Sequence, residues 1–177
     1  MSGHKDPADR LVDAYDAMLE RVHLAAETAE KRTIPWLRDA LEDAREKAVE
    51  LNELTREEAD KVSQYIERDL HEAADFVAET GQELKDWLRY DMALIQDQML
   101  NMFSNMVDHT SEALKNFADQ AHQASIYRTG EVASPGVLKC SECGEELHFK
   151  KTGRIPPCPK CHATQFQRIP RAEDEEV

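Results

Sequence analysis

Apolar residues recur through the first 127 positions at steps of three and four, the spacing that stacks side chains on one face of an α-helix. Asp6 is placed to cap a first helix with Pro7 at its first position, and Leu11, Tyr15, Met18 and Val22 form its inward stripe. Pro35 lacks a backbone donor and biases Ile34 away from the α region, so this helix is expected to end near Arg32. A second predicted helix carries Leu37, Leu41, Ala44, Ala48 and Leu51. Thr55 followed by Glu58 is a capping-box pattern that opens a third, with Val62, Ile66, Leu70, Ala73 and Val77 facing in. Thr80 and Glu83 repeat the pattern ahead of a long stripe from Leu84 through Leu88, Ile95, Met99, Met102, Met106, Leu114 and Phe117 to Ala121.

A single helix over 82–127 would span roughly 65 Å at 1.5 Å per residue, with a break point between Ser104 and Ser111, where weak helix formers cluster. Narrow stripes set against densely charged faces predict an elongated antiparallel helical hairpin or coiled-coil bundle. Beyond Ala133 the pattern changes. Five of the seven prolines and all four cysteines lie there, and Val137–Lys139, Leu147–Phe149 and Thr164–Gln167 alternate as short strands do. The expected organisation is a helical hairpin or bundle over 1–127, a linker over 128–136, a small β ribbon over 137–170 and a disordered tail over 171–177. The fold class is mainly α with a small C-terminal β module.

Charge follows the same division. The chain of 177 residues has a net charge of −14. Residues 1–127 carry 14 basic and 28 acidic side chains, residues 128–171 carry 8 and 4, and Glu173, Asp174, Glu175 and Glu176 add four more negatives. The acidic helical part repels nucleic acid, so any such contact falls to the ribbon, where Lys150, Lys151 and Arg154 make a basic turn and Phe149 and Phe166 are candidate stacking faces. The longest unbroken apolar run is four residues, Met92–Ile95, against about 18 for a membrane span. No charged-then-apolar signal opens the chain, so a cytoplasmic location without membrane contact is expected.

The chemistry lies in the cysteines. Cys140 with Cys143 and Cys158 with Cys161 are two C-x2-C pairs separated by 14 residues. In a reducing compartment such pairs serve as metal knuckles, each turn offering two thiolates that together enclose a tetrahedral ion. One Zn2+ with a structural role is the expected cofactor, because four sulfurs leave no position for a reactive water. Gly144 stands directly after the first pair, where the turn favours a left-handed residue, and His162 holds the equivalent place after the second.

Ile126–Val132, the two knuckles, Leu147–Phe149, Ile155–Cys158 and Thr164–Arg168 together resemble a bacterial family of small proteins known by a C-terminal zinc-ribbon-containing domain. The likeness extends to Glu53–Ala59 and Arg68–Leu70. The resemblance implies four cysteine ligands at Cys140, Cys143, Cys158 and Cys161 and a long helical N-terminal part, and assigns no activity. His162 departs from the glycine usual in that family.

Three functional readings follow. In the first, a non-enzymatic adaptor presents its ribbon to a macromolecular partner, a protein ahead of nucleic acid, and forms a homodimer through the apolar stripe. In the second, a transcription-associated regulator contacts RNA polymerase or nucleic acid through the ribbon. The third is a rubrerythrin-like iron redox protein, for which Glu20 with His23 and Asp119 with His122 have suitable spacing, although at 100° per residue Glu20 lies opposite the apolar stripe. No phosphate-cradling glycine loop, nucleophile elbow or H-E-x-x-H helix is present, and no enzymatic activity is expected.

Overall fold

The computed structural model describes residues 7–29, 34–80 and 126–169. Three helices, α1 (Pro7–Thr28), α2 (Ile34–Glu50) and α3 (Arg56–Thr80), precede six short strands. These are β1 (Tyr127–Arg128), β2 (Val132–Ala133), β3 (Gly136–Cys140), β4 (Glu146–Phe149), β5 (Gly153–Arg154) and β6 (Gln165–Ile169). Of the helix expected over 82–127, residues 82–125, with the Met stripe, Asp119 and His122, lie outside the described residues, and Tyr127, its expected end, stands in β1 instead.

Each helix packs against the other two. Tyr15, Met18, Leu19 and Val22 of α1 meet Leu37, Leu41, Ala44 and Ala48 of α2 and Ala59, Val62, Ile66 and Leu70 of α3 in one core. The alanines let α2 approach closely, so a modest number of large side chains fills the space. Helix α1 stops at Thr28, four residues before the expected end, and α2 takes Pro35 into its first turn, where the missing donor costs no hydrogen bond. Leu51, expected on the α2 stripe, falls past the helix end and is exposed. There Asn52 adopts φ 56°, and the amides of Glu53 and Leu54 return to the Ala48 carbonyl, closing the helix in the manner of a left-handed cap.

The capping box at α3 forms as read. Glu58 N donates to Thr55 Oγ1 at 3.2 Å, and Thr55 N donates to a Glu58 carboxylate oxygen at 2.9 Å. Thr55→Ala is therefore expected to lower unfolding stability by about 1 kcal/mol, read as a shifted urea midpoint, and an unchanged midpoint would remove the cap from this account. Glu58 also pairs with Arg10 of α1, and Arg45 bridges Glu42 and Asp60. Lys61 pairs with Glu57 one turn before it, and Lys47 pairs with Glu50.

Strands β1, β6, β3 and β4 form an antiparallel sheet in that order, and β2 pairs with β5. In the main sheet Phe166 lies opposite both Tyr127 and Cys140, and Leu138 lies opposite Arg168. Gly136 has φ 145°, and a side chain there would collide with the Arg168 guanidinium, a steric reason for glycine at the start of β3. Residues 128–136, read as a linker, contain part of β1, all of β2 and the first residue of β3, and β2 packs on α3 and α1. Val132 belongs to the helical core itself.

One buried carboxylate joins the helices to the sheet. Asp69 of α3 accepts from Tyr15 Oη and Tyr127 Oη, each at 2.8 Å, and from the Ser134 amide at 2.6 Å. Arg68 beside it donates to Glu131 at 2.5 Å and to the Val132 carbonyl at 2.9 Å. Its guanidinium lies 3.7 Å from the centre of the Tyr127 ring. Arg168 of β6 donates to Tyr127 Oη at 3.0 Å and to the Pro135 and Ser134 carbonyls, with a nitrogen 3.8 Å from Asp69. Burial opposes the Asp69 charge, yet Arg68, Arg168, the Ser134 amide and Tyr15 together hold its carboxyl below the ordinary range.

Candidate metal centre

Two turns of near-identical construction carry the cysteines. In the first, Gly144 N donates to Cys140 O and Cys140 N to Glu145 O; in the second, His162 N donates to Cys158 O and Cys158 N to Ala163 O, all at 2.8–3.1 Å. Gly144 and His162 take left-handed φ values of 75° and 61°. Histidine tolerates this region better than most side chains do, which is why the second turn survives without glycine.

The turns bring the four sulfurs together. Their Sγ atoms all lie within 4.8 Å of one another, with Cys140–Cys161 and Cys143–Cys158 at 3.6 Å. A zinc ion bound at ~2.3 Å by four thiolates sets its sulfurs about 3.8 Å apart, so the donor set fits such an ion in kind and in size. Cys140 and Cys158 are buried, Cys143 is half-buried and Cys161 lies at the rim. A small core of Tyr127, Ala133, Leu138, Ile155 and Phe166 backs the two buried cysteines.

The protonation of the cluster points the same way. Burial works against the Cys158 thiolate, but the amides of Cys161 and Lys160 and the neighbouring thiols bring it down to about 6. The Ala163 amide pulls Cys161 down, and its contacts with Cys143, Cys140 and Cys158 override this and push it up to about 12. One thiol thus ionises readily while Cys143 and Cys161 resist adding charge to the same small volume. A divalent cation held by the four sulfurs would remove that resistance.

His148 pairs with Glu146 at 3.6 Å, and both His148 and His162 are exposed and outside the sulfur cluster. Among the described residues the four cysteines are the one group of histidine, cysteine and carboxylate side chains close enough to share an ion. Glu20 and His23 of α1 do not join a second one.

The basic turn is less free than its sequence suggests. Lys150 and Lys151 are exposed, but Thr152 between them and Arg154 is buried, and β5 packs on α1. Asp16 of α1 faces this turn: burial raises its carboxyl, and Thr152 and the Lys151 charge draw it partly back. Arg154 is exposed, with Nε on the Gly130 carbonyl at 3.3 Å. Phe166 is fully buried and offers no stacking face, while Phe149 is half-buried against the ribbon core.

The Asp69 network was not read from sequence as a site. Its signal was present: Asp69 occupies the inward stripe of α3, three residues after Ile66 and next to Leu70. A carboxylate there must find partners.

No solved structure matches the chain. Its relatives include proteins of Escherichia coli K12 and of the E. coli strains O6:H1 and O157:H7, each called uncharacterized protein YbeL. Each is 32% identical over 133 residues, covering 75% of this chain and 82% of the relative. The family described as a zinc-ribbon containing domain matches residues 25–170, which takes in most of the helical part as well as both knuckles. By that match the chain belongs to the zinc-ribbon-containing domain family.

Proposed function

We propose that this protein is a non-enzymatic adaptor of the cytoplasm in which Cys140, Cys143, Cys158 and Cys161 hold one structural Zn2+ and an extended helical body presents the ribbon to a macromolecular partner. The convergence of the four sulfurs within 4.8 Å carries this reading. A closed sulfur shell leaves no coordination position for substrate or for an activated water, so the ion stabilises a module rather than supplying chemistry. No described helix is long and apolar enough to cross a membrane. A protein partner ranks ahead of nucleic acid because the exposed Lys150 and Lys151 lie in a turn that faces Asp16 of the acidic helical part. Homodimerisation through the apolar positions after residue 84 belongs to the same proposal.

A second reading, a transcription-associated regulator contacting RNA polymerase or nucleic acid, rests on those two lysines and on Arg154, all exposed. An affinity pull-down of the native protein with and without nuclease separates the two. Protein partners retained after nuclease support the adaptor, and partners lost with nuclease move the contact to Lys150, Lys151 and Arg154. Metal analysis of protein purified without added metal is expected to give one zinc per chain and a colourless solution. Iron and visible colour would favour the rubrerythrin-like reading instead.

A further inference from the structure

The geometry points to a metal-dependent latch: with the four-cysteine site filled, the ribbon holds Tyr127, Ser134 and Arg168 around the buried Asp69 of α3, and emptying the site releases them and opens the helical core. This inference rests on the zinc site proposed above, and extends it from a local staple to a control on the helices.

Three observations carry it. First, most of what surrounds Asp69 comes from the ribbon side of the chain. The Tyr127 hydroxyl, the Ser134 amide and the Arg168 guanidinium are supplied by residues 127–168, and among the described residues Tyr15 and the adjacent Arg68 are the contributions from the helices. Arg68 in turn reaches across to Glu131 and Val132. Second, a single strand connects this network to the sulfurs. In β6, Phe166 lies opposite Cys140 of β3 on one side and Tyr127 of β1 on the other, and two residues on, Arg168 grips Tyr127, Ser134 and Pro135. Third, Val132 of β2 is fully buried in the helical core, so the helices have a gap without the ribbon.

The physical link is the size of the module. Its own core is a handful of side chains that include two of the cysteines, and modules this small keep their fold only with the metal that crosslinks them. When β6 loses its register, Phe166 and Arg168 no longer place Tyr127 and Ser134, and the Asp69 carboxylate loses its ribbon-side donors together. Water then solvates the carboxylate, Val132 leaves, and the face of α1 and α3 around Tyr15 and Leu70 is uncovered. The state of the sulfurs is thereby transmitted to helices that do not touch them.

The test is amide hydrogen exchange on the full chain under reducing conditions, zinc-loaded and after stripping with a chelator. Amides of 14–22 and 62–71 are expected to exchange about a hundredfold faster once stripped, several hydrogen bonds to one charge being lost together, with protection restored on adding zinc back. In zinc-loaded protein Tyr127→Phe keeps the ring but removes one bond to the carboxylate, and is expected to speed exchange in 62–71 about tenfold while the zinc stays bound. Acceleration confined to 137–169 on stripping, or a silent Tyr127→Phe, overturns the latch and leaves the zinc reading intact. A chain that takes up no metal overturns both.

Discussion

Asp69→Ala is expected to destabilise the zinc-loaded protein by roughly 3–5 kcal/mol, the cost of removing one partner from a buried charge pair. The size follows from what is left behind. Asp69 is 1% exposed, and around it Tyr15 and Tyr127 lose their hydroxyl acceptor while the Ser134 amide is stranded. Arg68 keeps Glu131 and the Val132 carbonyl, and Arg168 keeps the Pro135 and Ser134 carbonyls, but both guanidiniums lose the fully buried carboxylate beside them. Asp69→Asn preserves shape and one acceptor oxygen but removes the charge and puts an amide donor where the second oxygen accepted, so it is expected to fall between the alanine variant and wild type. The acid dependence has a definite sign. Because Asp69 is held below its ordinary value of 3.8, the folded state favours the anion; this contribution is complete above that value and is lost only as pH falls through the depressed one. Denaturant titration of both variants above pH 5 therefore reads the full effect. A loss from Asp69→Ala no larger than the ~1 kcal/mol of a helix cap would show that the junction is held by Val132 and its apolar neighbours instead.

The contrast between Asp69 and the cysteines explains which parts of this protein were legible in its sequence. The knuckles could be read because their chemistry is local: a turn between Cys140 and Cys143 needs only a left-handed residue at position 144, and the same rule, with a less favourable side chain, holds at His162. The three described helices could be read for a related reason, since caps and stripes such as Thr55 with Glu58 and Val62 with Ile66 act within one or two turns. Strands β1, β2 and β5 are two residues each, too short to show alternation, and they exist because distant partners bond to them. Arg128 looks like a surface charge, and Tyr127 looks like the end of a helical stripe. Their placement is decided by Phe166, Gln165 and Asp69, residues 37 or more positions away in the chain that carry no mark of the pairing. The same non-locality acts at the basic turn, where Lys150, Lys151 and Arg154 are exposed but Thr152 is buried and the turn faces Asp16.

Cys158→Ser is expected to abolish stable metal binding, lowering affinity by more than the roughly hundredfold that loss of a mere supporting residue costs at such sites, whereas Cys161→Ser is expected to be the mildest of the four replacements. The four cysteines are alike in sequence and differ in burial. Cys158 is fully buried, its turn is closed by bonds to Ala163 and His162, and amides of Lys160 and Cys161 favour its thiolate. A hydroxyl there is a poorer ligand in a site that water does not readily enter. Cys161 stands at the exposed rim, where solvent can complete the coordination of an ion still held by three sulfurs. Cobalt substitution distinguishes the two outcomes, because a site with three sulfurs and one oxygen has a different visible spectrum from one with four sulfurs, and competition with a chromophoric chelator gives the affinities. Protons compete for the same sulfurs. Binding therefore weakens as pH falls, and chelator competition at two pH values is expected to show the lower affinity at the more acidic one. Equal losses from Cys158→Ser and Cys161→Ser would mean that burial does not rank the ligands and that the ion is held by sulfur count alone.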